Sequence, residues 1–299
     1  MAPIISVIAM GAMGGAVARR LRESGAIILT NLEGRSEQTR KRAEEAGATD
    51  TSLKEIVQKS DFILSILPPH EAFALAQTIV REIALQPRTT EGKLIYVDCN
   101  AVNDKTARRI ADLFNDTPIA FVDASIIGGP PKGSYNPAIY ASVDPRHKKA
   151  LETFVNLSSL GLKIKPLDGE GVHVGDASAL KMCYAGITKG VSGLLTTMIL
   201  AAHASSPATA EAFISELKES LPDVLQRMTR QVPMVIPKAY RFVGEMEEIS
   251  EFVGGGQGDI HRGMASLYQR VADSLNGDRK DVEVLEQFVE AAEKALQGT

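Results

Sequence analysis

Short apolar runs alternate with helical patterns over the first 166 residues of this 299-residue chain. Four of the runs span residues 4–9, 26–30, 62–67 and 94–98, and most of their consecutive positions are apolar. Strands of this kind are buried on both faces, which is typical of a parallel sheet covered by helices. The pattern therefore predicts an α/β fold with a doubly wound parallel sheet over residues 1–166.

After residue 166 the pattern indicates helices alone. A long stretch rich in Ala, Leu, Met and Gly predicts a helix over 175–203, and further helices are predicted over 208–231, 234–253, 259–275 and 281–297. We predict an all-helical domain over residues 167–299 that serves substrate binding and dimerisation. The helix at 175–203 is too apolar for a solvent-exposed surface, so we expect it in the centre of a bundle or in a homodimer interface.

Composition excludes several classes of protein. A net charge of −4 argues against a nucleic-acid binder or a protein of anionic membrane surfaces. The apolar run at 193–202 is shorter than the roughly 20 residues of a membrane span. Cys99 and Cys183 each lie in an apolar stretch, so we expect two reduced, buried thiols in a cytoplasmic protein. The five histidines show no metal-ligand spacing, so no metal site is predicted.

A glycine-rich segment follows the first predicted strand and begins a helix. Ala9, Gly11 and Gly14 have the spacing of the G-x-G-x-x-G fingerprint of Rossmann dinucleotide-binding domains, with Ala in place of the first Gly. Gly11 lets the backbone approach a pyrophosphate, and Gly14 allows close packing of helix on strand. The helix N-terminus, including Ala12 and Met13, offers N–H groups and positive partial charge to the phosphates. The simpler alternative is a turn without a ligand.

The end of the second strand distinguishes NAD from NADP. Glu33 stands where an acid binds the ribose 2′-hydroxyl of NAD. Arg35 and Ser36 follow at once, and a guanidinium and a hydroxyl suit the 2′-phosphate of NADP. We therefore predict NADP as the cofactor, with NAD as the less favoured alternative, and assign Asn31, Arg35 and Ser36 to it. Arg35 as a loop residue and Ser36 as a helix N-cap are the simpler interpretations.

Five motifs in order resemble those of the β-hydroxyacid dehydrogenases, a family that includes 3-hydroxyisobutyrate and 6-phosphogluconate dehydrogenases and has the imine reductases as close relatives. The resemblance covers about residues 4–190. The motifs are V-I-A-M-G-A-M-G-G at 7–15, S-I-L-P-P at 65–69, D-C-N-A at 98–101, D-A-S-I-I-G-G at 123–129 and G-D-A-S-A-L-K at 175–181.

The resemblance implies roles for residues of the later motifs. Leu67 and Pro68 would lie beneath the cofactor, and Asn100 beside the nicotinamide ribose. Lys181 stands at the place of the family's catalytic lysine. An amine there acts as general acid or base when burial or a nearby cation lowers its pKa toward working pH. An exposed lysine lying along the helix is the alternative from the residues alone.

The segment at 123–129 is expected to recognise substrate. The backbone N–H groups of Gly128 and Gly129 have no side chain in the way of a carboxylate. Ser125 and Asn100 add possible hydrogen bonds. The alternative is a glycine turn before Pro130 that only redirects the chain.

Departures from the family pattern make the pocket more apolar. Ile127 replaces a serine that contacts the carboxylate, and Ala185 replaces an asparagine beside the lysine. Tyr184, one helical turn after Lys181, is a candidate proton donor or substrate contact, or else a buried core residue. From the last helices, His261 is a candidate substrate contact.

These observations predict an NADP-dependent oxidoreductase that transfers hydride between the nicotinamide and a small hydroxy acid or keto compound. Lys181 would be the general acid or base, and the chain would form a homodimer through its helical domain. The alternatives are an imine or ketimine reductase of the same fold and a non-catalytic NADPH-binding sensor.

Overall fold

The computed structural model describes residues 2–85 and 94–298. These residues include one eight-stranded sheet with the strand order β3-β2-β1-β4-β5-β6-β7-β8. The strands are β1 (Ile4–Ile8), β2 (Ile27–Thr30), β3 (Thr49–Asp50), β4 (Phe62–Ser65), β5 (Ile95–Asp98), β6 (Ala120–Ile127), β7 (Ala138–Ser142) and β8 (Lys163–Pro166). All neighbouring strands are parallel except β6 and β7, which form an antiparallel pair.

Within the described ranges, six α-helices lie between strands and six follow the sheet. The first six are α1 (Ala12–Glu23), α2 (Glu37–Glu45), α3 (Leu53–Lys59), α4 (Pro69–Leu85), α5 (Asp104–Asp112) and α6 (Lys148–Val155). The others are α7 (Asp176–Ser205), α8 (Pro207–Ser220), α9 (Pro222–Val235), α10 (Ala239–Val253), α11 (Gly255–Asn276) and α12 (Lys280–Gln297). The predicted fold class, a doubly wound sheet followed by helices, is confirmed.

Each face of the sheet has its own apolar core. Side chains of α1, α2 and α6, such as Leu21 and Phe154, pack with strand residues on one face. Side chains of α3, α4 and α5, such as Ile79 and Ile110, pack on the other. Burial on both faces explains why the strands are apolar at consecutive positions rather than at alternating ones.

Some element boundaries differ from those predicted. α4 was not predicted, although Pro69 at its start and Glu71 in its first turn are ordinary helix-start signals. The helix predicted over 208–231 is two helices, because Pro222 lacks an N–H group and begins α9. α11 begins at Gly255, four residues before the start of the helix predicted over 259–275.

The chain divides into two compact units, and the division falls within α7, between Met182 and Cys183. The predicted limit of the first domain, residue 166, is the end of β8. In the helical unit, Lys189 of α7 forms a partly buried ion pair with Glu245 of α10 at 2.6 Å. The hydroxyl of Tyr268 of α11 donates to the carbonyl of Lys189. These contacts fasten the later part of α7 to α10 and α11.

α7 is long and apolar. Among the described residues it is the one helix whose length and composition meet the criterion for crossing a membrane, with 39% of its most apolar window buried. A core or interface helix meets the same criterion, so this is weak evidence for a span. Cys99 is buried as predicted, but the prediction is wrong for Cys183, because that residue lies on an exposed face of α7.

Candidate functional site

The glycine-rich loop joins β1 to α1 beside β4, where the strand order reverses. Ala9 has φ +67°, so it adopts the left-handed conformation that the first Gly of the fingerprint adopts without strain. A Cβ at Gly14 would lie 2.2 Å from the carbonyl oxygen of Ala9, whereas a Cβ at Gly11 would meet nothing within 4 Å. Gly14 therefore permits the helix–strand packing, and the backbone at Gly11 is open to a ligand.

The first turn of α1 fits a phosphate group. Its N-cap is Gly11, and no side-chain cap bonds this terminus in the described part of the chain. Ala12 is exposed, and Met13 is half-buried against the sheet core. Backbone N–H groups of an uncapped helix start favour an anion. The loop thus has the backbone geometry that a dinucleotide pyrophosphate requires.

The loop after β2 holds Asn31, Arg35 and Ser36. The Asn31 amide donates to the carbonyl of Thr51 at 2.9 Å, so this side chain shapes the loop. Ser36 is the N-cap of α2, as its simpler interpretation predicted. The Arg35 guanidinium lies 3.5 Å from the carboxylate of Glu71 at the start of α4. Arg35 is therefore turned toward the β4–α4 loop rather than away from the site.

Asn100 ties the loops after β4 and β5 together. Its side chain accepts from the backbone N–H of Leu67 and donates to the hydroxyl of Ser65 at 2.8 Å. Its own N–H donates to Asp98 at 2.8 Å. Asn100 is 2% exposed, so its hydrogen bond to Leu67 fixes the loop of Leu67 and Pro68 from the protein interior.

A row of buried polar side chains crosses the sheet. Ser65 of β4, Asp98 of β5, Asp123 of β6 and Ser142 of β7 are successive register partners. Residues paired directly across strands share one face of a sheet. The row therefore places two carboxyl groups side by side in the interior, each at most 1% exposed.

Asp123 caps the start of α7 from within the sheet. Its carboxylate accepts from the backbone N–H of Gly175 at 3.0 Å, from the N–H of Ser178 at 3.1 Å and from the Ser178 hydroxyl at 2.6 Å. Ser142 donates to the same carboxylate at 3.0 Å and accepts from the N–H of Ala177 at 3.0 Å. A carboxylate at a helix N-terminus satisfies its N–H groups and complements its dipole.

Lys181 lies three residues after Ser178 on α7 and is partly buried. Burial raises the pKa of Asp98 to about 7, assisted by the charge of Asp123, and burial also raises the pKa of Cys99. The charge of Lys181 partly opposes both rises in pKa, so it acts at the carboxyl end of β5. One Asp98 oxygen has no hydrogen-bond partner among the described residues. A buried carboxyl with a raised pKa and a lysine thus act on each other within this unit.

The segment after β6 places Gly128 and Gly129 at the surface. The N–H of Gly129 donates to the hydroxyl of Tyr135 at 3.1 Å, so a side chain already contacts this amide. Ser125 is completely buried, and its hydroxyl has no partner in the described part of the chain. Substrate contact by Ser125 therefore requires a change in its surroundings and stays a prediction.

Tyr184 and His261 belong to the helical unit. Tyr184 is 52% exposed, so the alternative of a buried core tyrosine is wrong. His261 of α11 has its Nε2 atom 3.4 Å from where a Cβ at Gly186 of α7 would stand. Burial lowers the pKa of His261, and its Nδ1 has no partner among the described residues. Neither residue's predicted substrate contact is tested by these observations.

Sequence reasoning assigned no role to Asp123, Ser142 or Tyr135. A signal for Asp123 was available, because a lone acid inside an apolar strand needs buried donors. Nothing in the local sequence identifies those donors at residues 175–178. Among the described residues, no group of three His, Cys, Asp or Glu side chains is arranged to hold a metal ion.

The glycine-rich loop at the reversal of strand order defines a dinucleotide-binding domain of the doubly wound class. Residues 4–159 match the family model of the NAD binding domain of 6-phosphogluconate dehydrogenase. The match covers more than half of the chain, which therefore belongs to this family, and the resemblance found from the motifs is confirmed. Residues 204–271 match a domain of unknown function, DUF1932.

One curated relative is an uncharacterised 28.5 kDa protein encoded in the 7S RNA 5′ region of Methanothermus fervidus. It is 29% identical over 177 residues, which are 59% of this chain and 62% of the relative. The match thus spans less than two thirds of that relative's length.

Solved structures of similar fold include dehydrogenases and reductases. MTH1747, a conserved protein of unknown function described as similar to 3-hydroxyacid dehydrogenases, is 27% identical, with a TM-score of 0.65 over 90% of this chain and 97% of that one. A 3-hydroxyisobutyrate dehydrogenase of Mycobacterium tuberculosis is 14% identical, with a TM-score of 0.64 over 91% and 94%. An imine reductase of Myxococcus stipitatus with NADP+ is 18% identical, with a TM-score of 0.51 over 96% and 100%. These likenesses establish the 3-hydroxyacid dehydrogenase fold.

Proposed function

We propose that this protein is an NADP-dependent oxidoreductase that interconverts a small hydroxy acid and its keto compound, with Lys181 as general acid or base. One observation carries the proposal. The first turns of α7, which carry Lys181, are bonded to Asp123 through Ser178. Asp123 is the register partner of Asp98, which lies two residues before Asn100 at the predicted cofactor loops. A proton donor beside the loops that would hold a nicotinamide is what carbonyl reduction requires.

The bound cofactor would supply or accept the hydride, and the chain would manage the proton. In the reducing direction, Lys181 would donate a proton from Nζ to the carbonyl oxygen as that oxygen gains charge. Asp98 and Asp123, buried beside each other in register, would set the charge around the amine. The first turn of α7, capped by Asp123, would keep Lys181 in place during turnover.

The preference for NADP rests on Arg35 and Ser36. Arg35 is close to Glu71 at the edge of the β4–α4 loop, so it can exchange this partly buried ion pair for a bidentate contact to a 2′-phosphate. The Ser36 hydroxyl stands at the start of α2, where a phosphate is also favoured by the helix dipole.

Reduction of an imine is the second candidate. Ile127 stands where the dehydrogenase pattern has a serine that contacts the carboxylate. A pocket with fewer carboxylate contacts suits an uncharged or cationic substrate better than a hydroxy acid.

We further propose a homodimer through α7 in the cytoplasm. α7 has four exposed large apolar side chains at spacings of three, seven and four residues. They are Tyr184, Ile187, Leu194 and Met198. An apolar stripe at this spacing is typical of a helix that packs against a partner. Analytical ultracentrifugation should give the mass of a dimer, and Ile187→Glu with Leu194→Glu should give a monomer. A monomeric parent protein would contradict this part of the proposal.

The decisive experiment combines cofactor binding with turnover. Titration followed by nucleotide fluorescence should show tighter binding of NADPH than of NADH. Turnover should then be measured with 3-hydroxy acids, keto acids and cyclic imines. Lys181→Met should lose at least about a hundredfold in kcat, the loss typical of a general acid or base, while still binding NADPH. Lys163→Met, at an exposed lysine of β8, is the matched control.

Each outcome separates the candidates. Turnover of acids supports the dehydrogenase, and turnover of imines alone supports the reductase. Tight NADPH binding without turnover of any compound would favour a non-catalytic sensor. Full activity of Lys181→Met would refute the assignment of the lysine.

A further inference from the structure

The β6–β7 connection carries an aromatic hydroxyl over the two exposed glycines. The Tyr135 oxygen accepts from the N–H of Gly129 at 3.1 Å and would lie 2.3 Å from a Cβ at Gly128. Gly128 has φ +128°, a backbone conformation that residues with a side chain rarely adopt. The backbone conformation therefore requires glycine at 128, and a side chain there would displace the phenol.

The loop holds Tyr135 by backbone contacts from two directions. Lys132 and Tyr135 exchange two backbone hydrogen bonds, at 3.0 and 3.1 Å. The Arg20 guanidinium of α1 donates to the carbonyls of Gly133 at 2.9 Å and of Tyr135 at 3.3 Å. The phenol is thus anchored at its backbone, and its side chain remains 50% exposed.

The geometry leaves the proton of the phenol for another acceptor. The oxygen of Tyr135 receives the Gly129 N–H, and an O–H group that accepts one hydrogen bond still donates its own proton. Between residues 123 and 137, the other hydroxyls belong to Ser125, which is completely buried, and Ser134. Ile127 has no polar atom to offer. Of the two exposed hydroxyls in this segment, the Tyr135 phenol is the one that is hydrogen-bonded to Gly129.

We propose that Tyr135 is a specificity-determining residue that donates a hydrogen bond to a carboxylate oxygen of the substrate. The inference rests on the proposed function, because it assigns the substrate class of that site. Tyr135, on the β6–β7 connection, would supply the hydroxyl that the side chain of Ile127 lacks. The Gly129 N–H polarises the phenol and so strengthens its donation.

The test compares Tyr135→Phe with Tyr140→Phe. Tyr140 is on β7 of the same hairpin, and its ring lies under the ammonium of Lys165, a contact that Phe keeps. With a 3-hydroxy acid that the parent turns over, Tyr135→Phe should raise KM about tenfold, the factor expected for one hydrogen bond to a charged group. The kcat and the Kd for NADPH should stay within twofold, and Tyr140→Phe should match the parent. An unchanged KM in Tyr135→Phe would overturn the proposal.

A binding measurement separates this proposal from the proposed function. The amide signal of Gly129 in 15N-labelled, NADPH-saturated protein should shift on titration with 3-hydroxybutyrate, and saturation should need about tenfold more ligand in Tyr135→Phe. A saturable shift without turnover of any panel compound would refute the dehydrogenase and support the role of Tyr135. Equal affinity in both proteins, or no shift in the parent, would overturn the role of Tyr135 whatever the turnover.

Discussion

Asp123, in the middle of β6, accepts hydrogen bonds from both the backbone N–H and the hydroxyl of Ser178 at the start of α7. The two residues are 55 positions apart in the chain, and both are at most 1% exposed. The N-terminus of α7 is therefore capped by the sheet rather than by its own flanking residue, Gly175, which has no side chain. This contact joins α7, the helix that carries Lys181, to β6, the strand that ends one residue before Gly128.

Asp123→Asn should lower the free energy of unfolding by about 2 kcal/mol. Asparagine keeps the shape but has one accepting oxygen, so at least one N–H of α7 loses its charged partner. Urea denaturation followed by circular dichroism measures the change. Ser142→Ala removes two hydrogen bonds of the same network, one to the Asp123 carboxylate and one from the Ala177 N–H, and should cost about 1–2 kcal/mol. If the urea midpoint of Asp123→Asn equals that of the parent protein, the cap contributes nothing to stability.

Asp98 should make the protein less stable as pH rises through the weakly acidic range. Its pKa is raised from 3.8 to about 7 on folding, so between these values the native state holds a proton that the unfolded state has released. Stability attributable to Asp98 is thus present near pH 4 and falls until about pH 7. Asp98→Asn removes this dependence.

The comparison of Asp98→Asn with the parent isolates the effect of this group. Unfolding free energies should be similar near pH 4, and the variant should gain on the parent up to pH 8, by at most about 4 kcal/mol. Urea midpoints at several pH values give the difference. Parallel pH profiles of the two proteins would mean that Asp98 titrates as an ordinary carboxyl.

Ala9→Gly should stabilise the protein by up to about 1 kcal/mol. Ala9 has φ +67°, and a left-handed conformation costs a residue with a Cβ roughly 1–2 kcal/mol. Glycine removes that cost, although its greater freedom in the unfolded chain offsets part of the gain. Thermal unfolding measures the change. Gly11→Ala, where a Cβ meets nothing, serves as control and should change Tm little unless nucleotide is present.

Arg35→Ala should weaken NADPH binding by about tenfold to a hundredfold and leave NADH binding unchanged, because only NADPH carries the 2′-phosphate. Titration of both nucleotides measures the two constants. Glu71→Gln, which removes the ion-pair partner of Arg35 without removing the guanidinium, is the control and should not weaken NADPH binding. An equal loss for both nucleotides would place Arg35 away from the 2′-position.

Much of the fold follows from local patterns. Runs of consecutive apolar residues predicted most strands, because strands buried on both faces cannot carry many polar side chains. α4 was missed, and the helix at 208–231 was not divided at Pro222. In both cases the signal was a proline at a helix start, which local hydrophobic periodicity does not record.

Spacing and residue type within a few turns of chain were enough to predict the sheet class, the glycine-rich loop after β1 and the position of Lys181 near a helix start. Three contacts could be found only in the folded chain: Asp123 bonds Ser178, Asn100 bonds the N–H of Leu67, and the Tyr135 hydroxyl accepts from Gly129. Such contacts depend on strand register and on the approach of segments that are distant in the chain or folded back in a turn. No local propensity encodes them, since each is set by the packing of the whole sheet.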